Sequence, residues 1–251
     1  MTNCWMRLRG RGNSIVVRYA LFLLTASALL MTFSQMACAK KSKVPATAVG
    51  PVRVVLLPFS VPEGNKDLKW AALAPPVLLA KVGEQFPDLV IVPFWEVMPT
   101  AIASAGASRS FNDESAASVA SWVGAKWAIM GEITPYKQGF SVVIDFVPAK
   151  STDVPFRYLK TRRLESMGPV FYASLRQFLR YVMGKPFPPS KQQMPGLNKM
   201  KPLAEALDRE YGWFAEADPG NGQNAIEDMA PSDKKLARVL FNPTMYPSLA
   251  N

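Results

Sequence analysis

The stretch AKWAIMGEITPYKQGFSVVIDFV, residues 125–147, decides the fold class of this chain. It contains an apolar run over 125–133 and a second run over 140–147, joined by a short connection that holds a proline and a glycine. In the second run large apolar residues recur at every second position, so their side chains share one face of a strand. They are Phe140, Val142, Ile144 and Phe146. Two strands with so short a connection predict a hairpin.

Further strands and helices are predicted on both sides of the hairpin from apolar periodicity and turn residues. The predicted strands lie at 52–59, 89–92 and 156–164, and the predicted helices at 68–86, 94–103, 112–124 and 168–183. The first helix contains Pro75 and Pro76, which predict a kink or a break. The third begins at a cap residue, either Asn112 or Asp113.

The order of these elements is β-α-β-α-α-β-β-β-α, with helices early and a strand meander late. This order predicts an α/β domain over 51–183, with a single mixed β-sheet of about five strands and helices packed on it. A proline-containing linker is predicted at 184–202. A short helical extension at 203–251 follows, and it would dock on the domain, pair with another protein or remain mobile.

The fifth predicted strand, FRYLKTRRL, is the best candidate for binding a partner. It carries Arg157, Lys160, Arg162 and Arg163, and so many cations favour a position at the edge of the sheet. Such an edge could meet an anionic polymer of the cell envelope or an acidic protein. The alternative is that these cations only protect the edge from aggregation.

Residues 1–39 have the pattern of a bacterial secretory signal. Four arginines, with no acidic residue, accompany the uncharged and mostly apolar run YALFLLTASALLMTF at 19–33. That run is shorter than the roughly 20 residues of a membrane-spanning helix. Removal of the signal changes the formal charge from +10 to +6, because 25 basic and 19 acidic residues remain. Residues 40–50 then predict a flexible tether.

Cys38 leaves two processing routes open. The small residues at 37–39 suit ordinary signal peptidase, which would leave Lys40 as the first residue. Alternatively, QMAC at 35–38 resembles a lipoprotein signal, in which Cys38 is linked to diacylglycerol and anchors the protein to a membrane. A lone cysteine at the end of the signal favours lipidation. The resemblance to enteric lipoproteins, which mark inner-membrane retention with an aspartate at the position of Ala39, then implies delivery to the outer membrane.

The residue inventory excludes several classes of chemistry. The chain has no histidine, so it holds neither a Ser-His-Asp arrangement nor a histidine-based zinc site. No phosphate-cradling or dinucleotide-binding glycine pattern is present. Two carboxylate pairs, Glu84 with Asp88 and Asp113 with Glu114, lack the surroundings of an acid-base site. We therefore expect no catalysis, no metal and no cofactor, and an exported chain is not expected to bind nucleic acid.

Three stretches resemble the TolB N-terminal domain family and related envelope proteins of the CsgG and FlgO type. They are VRVVLLPF at 52–59, LVIVP at 89–93 and GAKWAIMGEI at 124–133, which has the family's helix-ending glycine and a strand running into Gly-Glu. The resemblance covers about half of the chain and rests on structural motifs. The chain is not TolB itself, because no propeller repeats follow. It also lacks the long transmembrane hairpins that a secretion pore of the CsgG type would need.

Together these features favour a non-enzymatic envelope protein, facing the periplasm, whose α/β domain serves as an interaction or assembly module. Its expected partners are envelope proteins or anionic envelope components. The alternative is a periplasmic protein that binds a small polar ligand or a cell-wall fragment. Four tryptophans could line such a ligand site, although core packing is the more common role of this residue type. They are Trp70, Trp95, Trp122 and Trp127.

The predicted lipid anchor can be tested by comparing the wild type with Cys38→Ser. We expect the mature wild-type protein to fractionate with membranes and to have the mass of a chain with diacylglycerol on Cys38. Both properties should be lost in the variant, because no other cysteine follows. A soluble wild-type protein that begins at Lys40 would contradict the anchor.

Overall fold

The structure is a computed structural model, and it describes residues 50–62, 68–214, 233–246 and 249. The predicted signal, the predicted lipidation site Cys38 and all of the predicted tether except Gly50 lie outside these residues. The strands are β1 (Val52–Leu56), β2 (Leu89–Ile91), β3 (Trp127–Tyr136), β4 (Gly139–Pro148) and β5 (Phe156–Arg162). The α-helices are α1 (Trp70–Gly83), α2 (Phe94–Ala105), α3 (Asp113–Trp122), α4 (Gly168–Met183), α5 (Lys201–Tyr211) and α6 (Lys234–Leu240).

The five strands form one open mixed sheet in the order β2-β1-β3-β4-β5. β1 pairs in parallel with β2 and β3, whereas β3 with β4 and β4 with β5 are antiparallel. The hairpin register aligns Ile129 with Phe146 and Ile133 with Val142, and all four side chains are buried. The predicted fold class and element order are therefore confirmed.

The helices cover the two faces of the sheet in pairs. The chain moves from β1 to β2 through α1, and in the opposite direction from β2 to β3 through α2 and α3. Right-handed crossovers in opposite directions place their helices on opposite faces. We call the two sides the α4 face, which α1 and α4 cover, and the α3 face, which α2 and α3 cover.

Aromatic packing fixes α4 on its face of the sheet. The ring of Phe178 stacks on Phe146 at 4.3 Å between centroids and meets Trp127 edge-on at 5.1 Å. Phe171, Leu175 and Phe178 are buried, as their helical spacing predicts. Val182, one turn further along, is only half-buried, because it lies near the end of the helix.

Helix α1 differs from its sequence expectation. Pro75 and Pro76 predict a kink or a break, yet the helix is continuous from Trp70 to Gly83. Twelve of its fourteen residues are buried, since α1 lies between the sheet and the C-terminal helix α5. Packing on both sides holds the helical backbone where the local sequence alone would interrupt it.

Helix α3 begins as one of its two candidate caps predicts. The side chain of Asn112 accepts a hydrogen bond from the backbone N–H of Ser115 at 2.8 Å, and the Ser115 hydroxyl accepts one from the backbone N–H of Asn112 at 3.0 Å. This reciprocal pair satisfies two backbone donors that the helix leaves free. Asn112 is therefore the cap, and Asp113 is the first helical residue.

The described part of the C-terminal extension docks on the α/β domain, the first of the three arrangements that the sequence left open. Helix α5 packs on α1, and α6 contacts α1 and α2. Trp213, Leu236 and Leu240 are buried. The hydroxyl of Tyr211 donates to the carbonyl of Leu240 at 2.8 Å, and burial raises the pKa of Tyr211.

The preceding segment 184–200 is largely irregular and also buries apolar side chains, such as Phe187.

Gly131 allows β3 and the segment after β1 to pack closely. A methyl group at this position would lie 2.0 Å from the carbonyl oxygen of Val143 and 2.5 Å from the ring of Phe59. The bare backbone therefore lets Phe59 lie on the sheet, where its ring contacts Phe171 of α4.

We expect Gly131→Ala to lower the free energy of unfolding by about 3 kcal/mol, because the methyl group must displace both β4 and Phe59. Chemical denaturation measures this value. The control is Glu132→Ala at the exposed neighbouring position, which should change stability by no more than about 0.5 kcal/mol. A cost below about 1 kcal/mol for Gly131→Ala would show that the packing is looser than described.

Candidate functional site

The candidate binding strand lies at the edge of the sheet, as its composition predicts. β5 pairs only with β4 among the described strands, and its other side has no strand neighbour there. Its residues alternate between the two faces. Phe156, Tyr158, Lys160 and Arg162 lie on the α4 face, and Arg157, Leu159 and Thr161 lie on the α3 face. The predicted cations are thus divided between two faces of the sheet.

Arg157 is neutralised by a neighbour within the sheet. Its Nε and Nη2 atoms donate to the two carboxylate oxygens of Asp145 at 2.5 and 3.0 Å, in a bidentate pair across β4 and β5. These hydrogen bonds raise the pKa of Arg157. The side chain of Asp145 is only 14% exposed, so the pair leaves little free charge for a partner.

The other three candidates cluster at the C-terminal end of the strand. Lys160, Arg162 and Arg163 are exposed, and no described carboxylate forms an ion pair with them. The turn between β3 and β4 lies beside them, because a Cβ on Gly139 would be 2.8 Å from the carbonyl oxygen of Arg162. Lys137 in that turn adds a further cation. We call Lys160, Arg162 and Arg163 the basic edge.

The two halves of β5 differ in burial and in charge. Burial raises the pKa of the Tyr158 hydroxyl, whereas the positive charge of Arg162 acts in the opposite direction. Phe156 packs on Tyr181 of α4, with 5.7 Å between ring centroids. β5 is therefore anchored to the domain at its N-terminal half, and its cations that have no described ion pair lie at its C-terminal half.

Leu159 and Val143 form an apolar surface feature that the sequence analysis did not predict. They are paired across β5 and β4 on the α3 face, with Leu159 59% exposed and Val143 half-buried. Helix α3 covers this face nearer Ala128 and Val147, which are both buried. The alternation of side chains along β5, counted from Phe156, predicts that Leu159 lies on the opposite face from Lys160. This pattern could have identified Leu159 from the sequence.

The candidate carboxylates lie in ion pairs and in the first turn of a helix. Glu84 lies 3.7 Å from Lys81, and Asp88 lies 2.7 Å from Lys185. Asp113 and Glu114 lie in the first turn of α3, where acidic residues interact favourably with the helix dipole. Each pair thus has an ordinary electrostatic role.

The four tryptophans have separate surroundings. Trp127 is buried in the core, and Trp122 is 79% exposed. Trp70 lies beneath the ammonium of Lys201, and Trp95 donates to the carbonyl of Arg238 at 3.4 Å. The described side chains therefore give these tryptophans no common ligand site.

A polar groove that the sequence did not predict lies between α1, the segment 192–195 and α6. It encloses about 270 Å³. Its lining includes Lys81, Glu84, Gln85, Gln192 and Lys235. Burial acts to lower the pKa of Lys81, but its hydrogen bond to Asp233 and the charge of Glu84 outweigh burial and raise it. The groove joins residues more than 100 positions apart, so no local sequence pattern marks it.

Within residues 50–62, 68–214, 233–246 and 249, no helix combines the length and the apolar character that crossing a membrane requires. In the same part of the chain, no group of three or more acidic or cysteine side chains is placed to hold a metal ion.

Several solved structures match part of this chain at low sequence identity. TolB from Acinetobacter baumannii matches with a TM-score of 0.37 and 13% identity over 55% of this chain, which spans only 29% of that protein. The hypothetical protein CT253 from Chlamydia trachomatis gives 0.36 and 10%, over 54% of this chain and 100% of that one. The LpoB C-terminal domain from Salmonella enterica gives 0.31 and 8%, over 47% and 87%.

No family model matches the sequence, and no curated protein matches it. Structural similarity at these low identities and TM-scores assigns neither a family nor a function. Membership of the TolB N-terminal domain family, drawn from residues 52–59, 89–93 and 124–133, therefore stays a prediction.

A double-mutant cycle of Asp145→Ala and Arg157→Ala tests whether the pair on β4 and β5 is formed. We expect a coupling energy of about 1 kcal/mol, since the geometry is bidentate and Asp145 is largely shielded from water. The matched control is Lys201 with Glu205, whose atoms are 3.8 Å apart and whose side chains are about half exposed. Its coupling should be at most about 0.5 kcal/mol. Equal couplings in the two cycles would contradict the bidentate geometry.

Proposed function

We propose that this chain is a non-enzymatic protein of the bacterial cell envelope whose α/β domain binds other envelope proteins through the basic edge. In this proposal the signal at 1–39 directs export. Cys38 carries the lipid anchor, and the domain faces the periplasm from the outer membrane.

The observation that carries the proposal is the accumulation of exposed charge at a sheet edge. Lys160, Arg162 and Arg163 lie within four consecutive residues, and no described carboxylate pairs with them. Charges of one sign that remain unpaired on a surface raise the rate of encounter with partners of opposite charge. A strand edge also offers backbone groups for pairing. The same four residues thus combine charge steering with a place to dock.

The ordinary surroundings of the candidate carboxylates support the non-enzymatic part of the proposal. Lys81 and Lys185 each form an ion pair with one of them. Ion pairs of this kind are common between side chains at a protein surface. Glu84 also belongs to the lining of the polar groove, so its carboxylate would take part in the second candidate function.

The second candidate function is the binding of a small polar ligand, such as a cell-wall fragment, in the polar groove. Its volume of about 270 Å³ and its lysine and glutamine side chains favour this alternative. However, Gln85 is already engaged, since its Oε1 accepts from Ser190 at 3.0 Å and its Nε2 contacts the sulfur of Met194. A ligand would have to replace these bonds, so we place this function second.

Charge reversal at the edge tests the first function. We expect Arg162→Glu with Arg163→Glu to lower the yield of envelope proteins cross-linked to the chain by at least about tenfold, because four units of charge change where the partner would dock. The control is Lys191→Glu with Lys199→Glu, which makes the same change at exposed positions outside the edge. Equal yields from the two double variants would overturn the proposal. A rise in Tm with muropeptides that Gln85→Ala removes would favour the groove instead.

A further inference from the structure

We propose that β5 accepts an acidic, extended segment of a partner protein as the sixth strand of the sheet. This inference rests on the proposed function and specifies how the basic edge holds its partner. It follows from the backbone direction, the side-chain alternation and the charge of one strand.

The backbone of β5 offers a regular row of hydrogen-bonding groups. The carbonyl of Thr161 accepts a hydrogen bond from Nη1 of its own neighbour Arg162 at 2.9 Å, whereas the carbonyl of Arg162 lies against Gly139 beside β4. In an antiparallel pair, both backbone groups of one residue point to the same side, and successive residues alternate. The amides and carbonyls of Arg157, Leu159 and Thr161 therefore point away from β4.

The side chains beside these backbone groups specify the chemistry of the incoming strand. On the α4 face the strand would lie next to Lys160 and Arg162, which have no described ion pair. On the α3 face it would lie next to Leu159, which is 59% exposed beside Val143. Opposite charges and apolar pairs across adjacent strands are each stabilising. The segment that fits has acidic residues at alternate positions and an apolar residue between them.

A second copy of this chain does not fit the same edge. Pairing β5 with β5 would place Lys160 and Arg162 of one copy near the same cations of the other, on one face of the sheet. Like charges on adjacent strands are destabilising. The basic edge therefore disfavours self-association and selects an acidic strand.

The length of the docking surface is limited at its N-terminal end. Pro155 immediately precedes β5 and has no backbone N–H. An added strand would thus extend over the seven residues of β5 at most. Its strongest contacts would lie at the C-terminal half with Lys160 and Arg162, and it would replace or share the hydrogen bond that Arg162 donates to the carbonyl of Thr161.

The direct test uses the processed full chain and two synthetic peptides of equal composition. One alternates its residues, as acetyl-Glu-Val-Glu-Thr-Glu-Val-Glu-amide, and the other groups the four glutamates before the remaining residues. We expect the alternating peptide to bind at least about tenfold more tightly, because only it can offer acids to one face and valines to the other. Equal affinities would overturn strand addition and leave a purely electrostatic contact.

Amide hydrogen exchange gives a second and independent measurement on the wild type. At a saturating concentration of the alternating peptide, the amides of Arg157, Leu159 and Thr161 should exchange at least about tenfold more slowly. The amides of Tyr158 and Lys160 should change less, because they already face β4. Unchanged exchange at the three outward amides would overturn the proposal.

Leu159→Pro removes one outward N–H and keeps every charge, whereas Leu159→Thr keeps the N–H and removes the apolar side chain. Edge strands accept proline where the N–H faces solvent. We expect Leu159→Pro to bind the alternating peptide at least about tenfold more weakly than Leu159→Thr. Equal binding by the two variants would contradict strand addition.

The two proposals can fail separately. If the charge reversal at Arg162 and Arg163 lowers the cross-linked yield but Leu159→Pro binds like Leu159→Thr, the basic edge is a binding site without strand addition. If the charge reversal leaves the yield at the level of its control, the proposed function itself is wrong.

Discussion

The pairing of β3 on both of its sides is the interaction on which the rest of the structure depends. Its first residues pair in parallel with β1, and all ten residues pair antiparallel with β4. The parallel side requires crossover helices on both faces of the sheet. The antiparallel side continues to Tyr136 and carries β5 as a further strand. The parallel part of the sheet thus lies between helices on its two faces, and the antiparallel part ends in the β5 edge, which no described element covers.

Burial on both of its sides explains the composition of helix α1. Helix α1 lies between the sheet and α5, so it can be apolar on nearly all sides and can retain two prolines. The C-terminal extension completes this layer, since α5 packs on α1. Beyond α5, Trp213 stacks on Phe111, which precedes α3, at 5.8 Å between ring centroids. Short helices of this kind bury too little surface to be stable alone, and here the domain supplies the surface that they cover.

The open end has the opposite chemistry, because β5 is only partly covered by α4. Where Phe156 meets Tyr181 and Phe146, the strand is part of the core. Beyond Tyr158 the same face carries Lys160 and Arg162. Exposed cations are a common means of keeping a free strand edge from aggregating. In our proposal the same charges select an acidic partner, so protection and recognition are two consequences of one arrangement.

The sequence by itself determined the element order, the hairpin and the edge position of β5, because each depends on local periodicity and turn residues. It also indicated that Phe171, Leu175 and Phe178 face the core. Only the tertiary structure decided that the cations divide between two faces and that Asp145 neutralises Arg157. It also decided that distant segments enclose the polar groove and that α1 continues through its prolines. These features depend on strand register and on packing between residues far apart in the chain, which a local pattern does not encode.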